Sequence, residues 1–227
     1  RVYNEWFVHL RYPGYEKSEV TETDHSPKPK GWSHSILSSI IDNINVKEKA
    51  GEHLHSLAYI PLSCIESRSL FLNTTKPGKE AKTSLIRFKK YDIIFGAMRV
   101  YLHKVVIAPR DGITRTTCFV LRPKRSLYYP YSVMTLYQDK TIEFANKRSK
   151  GSTIPYAMWE GGLSEMPILM PPHNVLLQFN SLMMPIIKEI TLIHPINVIL
   201  RKIRDLLCPK LISGEIDVSK MRINTLG

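Results

Sequence analysis

The chain has 227 residues, 43% of them hydrophobic, and its 32 Lys and Arg outnumber 20 Asp and Glu, giving a formal net charge of +12 and a pI near 9.6. That length and apolar content are enough for a domain with a real core, so disorder is not the default, and three scattered cysteines without CxxC spacing speak against a zinc site or a disulfide framework. No uncharged apolar run reaches transmembrane length and the first residues lack a signal-peptide cleavage pattern, so a cytoplasmic protein without a membrane partner is expected.

In chain order, Tyr3, Trp6, Phe7 and Leu10 fall at helical spacing before Pro13 and Gly14, which reads as the end of a helix over residues 1–10. The chain opens on Arg1 rather than Met, so an upstream portion of that helix is expected. Residues 11–31, rich in Glu, Thr, Ser, Lys and Pro, read as a linker or extended arm. A domain is expected over 32–170. Ser35 is placed to cap a short helix with Ile36, Leu37, Ile40 and Ile41 on its apolar face. Strands are expected at Leu57–Leu62, Ser84–Phe88, Asp92–Phe95, Met98–Ile107 and Ile113–Leu121, with turns at Pro77-Gly78 and Asp111-Gly112. Two short helices should follow Arg125, and Met166–Met170 reads as a buried strand. Over 171–207, Phe179, Met183, Ile186, Ile190, Ile193, Asn197, Leu200, Arg204 and Leu207 alternate steps of four and three. This is a heptad seam that calls for another long helix, with Asn197 and Arg204 setting register. Pro185 and Pro195 predict kinks or a break, and residues 208–227 read as a tail.

The charge is concentrated. Between Lys76 and Arg125 lie thirteen Lys or Arg against Glu80, Asp92 and Asp111. Such a field on β-structure suits a polyphosphate backbone, because each phosphate neutralised by Lys or Arg releases counterions; an ordinary solvated basic face is the alternative. If Met98–Ile107 is one strand, Arg99, Tyr101 and His103 share a face opposite Met98, Val100 and Leu102. Arg99 and Tyr101 are then candidates for DNA contact or plain solvated residues. Lys104 breaks the alternation and marks a bulge or strand end. Arg110 and Arg115 flank the Asp111-Gly112 turn beside Thr116, and Arg forks pair with guanine edges or phosphate, so this loop is the first candidate for sequence reading. A plain hairpin with exposed Arg stays open beside it. Ser152 and Thr153 after Gly151 offer hydroxyls and backbone N–H groups to phosphate, a weak signal.

Catalytic motifs are missing. There is no glycine-rich segment with an Asn-Pro-Pro-Tyr type box, no Walker loop, no Gly-x-Ser-x-Gly elbow and no carboxylate cluster within the basic region. Glu215, Ile216, Asp217 and Lys220 have the outline of a nuclease box but fall in the expected tail.

Asp92-Ile-Ile-Phe-Gly-Ala-Met-Arg-Val-Tyr-Leu-His-Lys-Val-Val-Ile-Ala-Pro-Arg-Asp-Gly112 resembles the central region of a target recognition domain in the specificity (S) subunit of type I restriction-modification systems. The run Arg204–Ser219 is similar to that family's C-terminal helix end, and Asn4–Val8, Gly151–Pro155 and Met170–Pro172 also match, so the resemblance covers nearly the whole chain. Cys208 and Pro195 depart from the usual pattern, an apolar Leu and a polar helix former respectively. The resemblance implies an α+β chain forming the C-terminal half of such a subunit: one target recognition domain followed by a long helix that pairs with an upstream helix. It implies a non-enzyme that binds half of a split double-stranded DNA target and scaffolds methylation (M) subunits. S-adenosylmethionine, ATP and magnesium would be used by the M and restriction (R) partners, with no cofactor in this chain. Recognition would fall to Arg99, Tyr101, Arg110 and Arg115, and phosphate holding to Lys89, Lys90, Lys104 and Arg122. The competing reading is a non-specific nucleic-acid-binding scaffold that self-dimerises through the long helix.

Overall fold

A computed structural model describes residues 1–21 and 28–216; parts of the expected linker and tail, Asp217 and Lys220 among them, lie outside the described residues. Short strands dominate the first part of the chain: β1 (Val20–Thr21), β2 (Lys28–Pro29), β3 (Ser33–Ile36), β4 (Ile41–Asn43), β5 (Lys47–Glu48), β6 (Ala58–Tyr59) and β7 (Lys76–Pro77). The central strands follow as β8 (Leu85–Phe88), β9 (Ile93–Gly96), β10 (Val105–Ile107), β11 (Gly112–Arg115) and β12 (Cys118–Pro123). Helices α1 (Tyr129–Leu136) and α2 (Asp139–Lys147), strand β13 (Pro167–Met170) and the long helix α3 (His173–Ile212) complete the α+β fold.

Two sheets carry the domain, ordered β10-β9-β12-β4 and β5-β8-β11-β6-β7; β1-β2 and β13-β3 are separate pairs. The central strands read as continuous apolar runs because both faces are covered. Ile93, Phe95, Val105, Ile107, Phe119 and Leu121 point to a core shared with the helices, whereas Ile94, Val106, Cys118 and Val120 meet Ile86 and Phe88 of the other sheet. Successive residues on a strand face opposite ways, so one sheet supplies both cores. The N-terminal residues join the first core: Phe7 lies 4.7 Å from Phe179, 4.9 Å from Tyr131 and 6.0 Å from Trp32, ring to ring. Tyr3 hydrogen-bonds Thr135 at 2.9 Å, and burial pushes its phenol up to about 12. Tyr12 is also buried, 5.2 Å from Trp32.

Four local expectations are corrected. No helix starts at Ser35; Ser33–Ile36 pairs antiparallel with β13, and a short turn leads to β4. β-branched Ile36, Ile40 and Ile41 suit this extended path better than a helix. Residues Met98–Ile107 are not one strand. Arg99 and His103 both take left-handed backbone (φ 52° and 51°) around a single turn at Val100–Leu102, so the proposed alternation of faces is absent. Left-handed backbone costs roughly 1–2 kcal/mol per residue, and tertiary contacts offset it here. Val100 is buried, Arg99 N–H donates to the Pro155 carbonyl at 2.8 Å, and His103 Nδ1 lies 3.1 Å from Asp139 Oδ1. Ile113–Leu121 is likewise two strands in different sheets, because Thr116 N–H turns to the Ser84 carbonyl and the Thr117 carbonyl accepts from Ala97 and Met98. Of Leu57–Leu62, only Ala58–Tyr59 is strand.

Helix α3 runs without a break through Pro185, Pro195 and Pro209, past Leu207 to Ile212. By length and apolar content alone it is long enough to cross a membrane. Its middle, however, packs along the domain through Phe179, Ile187 and Thr191, with Phe71 beside His194 at 5.6 Å. Polar and charged residues Asn73, Thr74, Lys90 and Arg110 lie across a cleft from it, where a bilayer would place acyl chains.

Candidate nucleic-acid interface

The antiparallel registers Ile93↔Leu121, Gly96↔Cys118, Gly112↔Phe88 and Arg115↔Leu85 sort the connecting loops into two ends. One end gathers Met98–Arg99, Arg115–Thr117 and Lys150–Tyr156. The other gathers Lys89–Asp92, Arg110–Asp111 and Arg122. Strands of four residues at ~3.3 Å each separate them by about 13 Å. Arg110 and Arg115, expected to flank one turn, therefore lie at opposite ends of β11, and the basic residues divide between two surfaces.

At the first end, backbone bonds tie three distant segments together. Ala97 and Met98 donate to the Thr117 carbonyl at 2.9 and 3.2 Å, Ala157 donates to Ala97 at 2.8 Å, and Lys150 and Tyr156 exchange bonds at 2.9 and 2.8 Å. The Tyr156 hydroxyl donates to the Thr116 carbonyl. Gly151, at φ +93°, makes the loop possible, since a Cβ there would lie 2.8 Å from the Ile154 carbonyl oxygen. Arg99, Arg115, Thr116, Ser152 and Thr153 are all exposed on these loops, and Tyr101 is 54% exposed on the adjoining turn. Lys104 sits near the same end, but its ammonium is held by the Leu62 carbonyl at 3.0 Å. Near Lys104 lies a cluster the sequence did not signal: exposed Asp139 pairs with Arg68 at 2.8 Å and with buried His103. The Arg68 hydrogen bond, ahead of the other contacts, holds the Asp139 carboxyl below its usual range.

At the second end much of the charge is already engaged. Arg122 grips Asp92 with two bonds of 2.7 Å, Lys89 N–H caps the same carboxylate at 2.7 Å, and Lys90 N–H bonds Asp111 at 2.8 Å. The hydrogen bond to Asp92 raises the Arg122 pKa. The Lys89 and Lys90 side chains are exposed. Arg110, also exposed, borders a cleft of about 840 Å³ together with Lys188 and Lys202 of α3. Those two lysines become part of this basic surface only through the packing of the helix.

The heptad residues divide as well. Phe179 is 1% exposed and Met183 packs on the same core, so the first two belong to the domain. Ile186, Ile190, Ile193, Asn197, Leu200 and Leu207 face outward, Leu200 being 56% exposed, and Arg204 pairs with the adjacent Asp205 at 2.7 Å. A second stripe, through Ile187 and Thr191, is the one covered by the domain.

No family profile matches the chain. A type I restriction enzyme specificity subunit, MjaIX of Methanocaldococcus jannaschii, is 36% identical over 239 aligned positions that take in 97% of this chain and 52% of the relative. Among solved structures, the HsdS subunit of Thermoanaerobacter tengcongensis matches with a TM-score of 0.55 at 17% identity, over 86% of this chain and 52% of that one. The S subunit of a type I restriction-modification system from M. genitalium matches with a TM-score of 0.51 at 15% identity, over 80% and 46%. These two share the fold, and the chain spans about half the length of each relative it matches. Over nearly its whole length the chain is thus similar in sequence to about half of a type I restriction enzyme specificity subunit, and it shares its fold with two S-subunit structures.

Proposed function

We propose that this chain is a cytoplasmic, non-catalytic DNA-recognition element that reads one half of a bipartite duplex target and presents α3 as a scaffold for M subunits. The R subunits would join the same assembly, and the chemistry using S-adenosylmethionine, ATP and magnesium would belong to these partners. The observation that carries the reading is the convergence of Arg99, Arg115, Thr116, Ser152 and Thr153, from three separated segments, on one set of exposed loops. Arg forks and hydroxyls on loops are suited to base edges in a groove. Lys89, Lys90 and Arg110 would meet phosphates farther along. The two ends lie closer than one turn of duplex, roughly 34 Å, so DNA running alongside the strands can touch both. Arg122 would act mainly by fixing the loop that carries the lysines.

Selection from randomised duplexes, with and without an M subunit, tests this. The expected result is one short asymmetric motif and a complex that forms through the open stripe of α3. A palindromic motif would mean that the chain reads DNA as a pair self-associated through α3, an association supported by the outward-facing Ile186, Ile190, Ile193 and Leu200. Binding with no sequence preference would overturn recognition altogether.

A further inference from the structure

At the Asp92 end, Lys89, Lys90, Arg122, Arg125, Ser126 and Tyr129 line a hollow of about 290 Å³. Tyr129 is 6% exposed, and its buried hydroxyl has no hydrogen-bond partner among the described residues. Buried hydroxyls are rarely left unpaired, because the lost bonds to water are not replaced. Burial also raises the Tyr129 pKa, which keeps the group a donor. Asp92 lies in the same wall, but both its oxygens are engaged by Arg122 and the Lys89 N–H. Asp111, the next acid, is exposed and accepts from Lys90 N–H. Lys90 lies 5.1 Å over the Tyr91 ring and Arg125 5.9 Å over Tyr128, and neither forms an ion pair among the described residues. The hollow thus combines excess positive charge with a wall residue, Tyr129, whose buried hydroxyl lacks an acceptor among the described residues.

We propose that this hollow binds a phosphate group, with the Tyr129 and Ser126 hydroxyls donating to its oxygens and Lys89, Lys90 and Arg125 supplying charge. Arg122, locked on Asp92, shapes the wall. The site deepens the DNA reading and rests on it only for the source of the phosphate, the duplex backbone. A free phosphate anion offers the same chemistry.

The test uses the 227-residue chain and its Tyr129→Phe and Arg125→Ala variants, titrated with a labelled duplex and, separately, with inorganic phosphate while thermal melting is followed. Each variant should bind duplex about tenfold more weakly, the loss expected for a hydrogen bond to a charged group. Tyr129→Phe should melt no lower than the parent, since it removes an unpaired buried hydroxyl. If instead inorganic phosphate raises the melting temperature of the parent but of neither variant, and duplex affinity is unchanged, the site stands with a free anion as its source. Variants equal to the parent in both arms overturn the proposal, as does a Tyr129→Phe chain that melts lower, which would make the hydroxyl a structural donor. Failure of the recognition reading looks different: parent and Arg115→Ala would bind all duplexes alike while the Tyr129-dependent phosphate effect persisted.

Discussion

The two ends of the sheets carry similar positive charge and use it differently. At the Asp92 end an ion pair is built into the wall: the Asp92 side chain is 3% exposed and holds Arg122 with two short bonds. At the Gly151 end the ion pair between Arg68 and Asp139 is open to water, and Arg99 and Arg115 project on loops held by backbone bonds. A cation count therefore says little about contact. A guanidinium whose donors are satisfied inside the protein positions a loop, whereas one held only by its backbone is free to read a ligand.

The sharpest way to break this contrast is Asp92→Ala. It strips the partner from Arg122 and the cap from Lys89 N–H, so denaturant unfolding should show a loss of about 3 kcal/mol, the scale for losing several hydrogen bonds to one buried carboxylate. A loss no larger than that of an exposed pair would mean the two ends are alike. Arg115→Ala should leave stability unchanged and reduce discrimination between cognate and random duplex by about 1–3 kcal/mol. Competition binding reads this directly, and equal weakening on both duplexes would place Arg115 on phosphate. Lys90→Ala should weaken every sequence alike and lower the salt slope of binding by about one unit. A sequence-dependent effect there would erase the distinction between the ends. The smallest effect is expected from Asp139→Asn. Because the folded carboxyl sits below its ordinary value of 3.8, its stabilisation is present above that value and is lost as pH falls through the lower folded value. Acid unfolding of the variant should be slightly less steep, and an unchanged acid limb would remove Asp139 from the account.

Much of the architecture was legible along the chain. Strands β8, β9 and β13 follow from compact apolar runs, α1 and α2 from the apolar spacing after Arg125, and α3 from its long periodicity. Neighbouring residues sufficed for these, because local propensity and packing agree. The turn at Val100–Leu102 was not legible, since alternating apolar and polar residues there match a strand while the backbone follows Pro155 and Asp139, more than thirty positions away. The heptad pattern likewise announced one stripe on α3 without revealing a second, offset by one residue and covered by the domain.

By itself the sequence determined an α+β chain with a dense basic stretch and a long helix with a heptad pattern, since composition and period are local properties. Only tertiary structure decided which cations gather and which are spent. Strand pairing joins residues far apart in the chain, so Arg122 finds Asp92, while Tyr156 ties the loop of Ser152 and Thr153 to Thr116 beside Arg115.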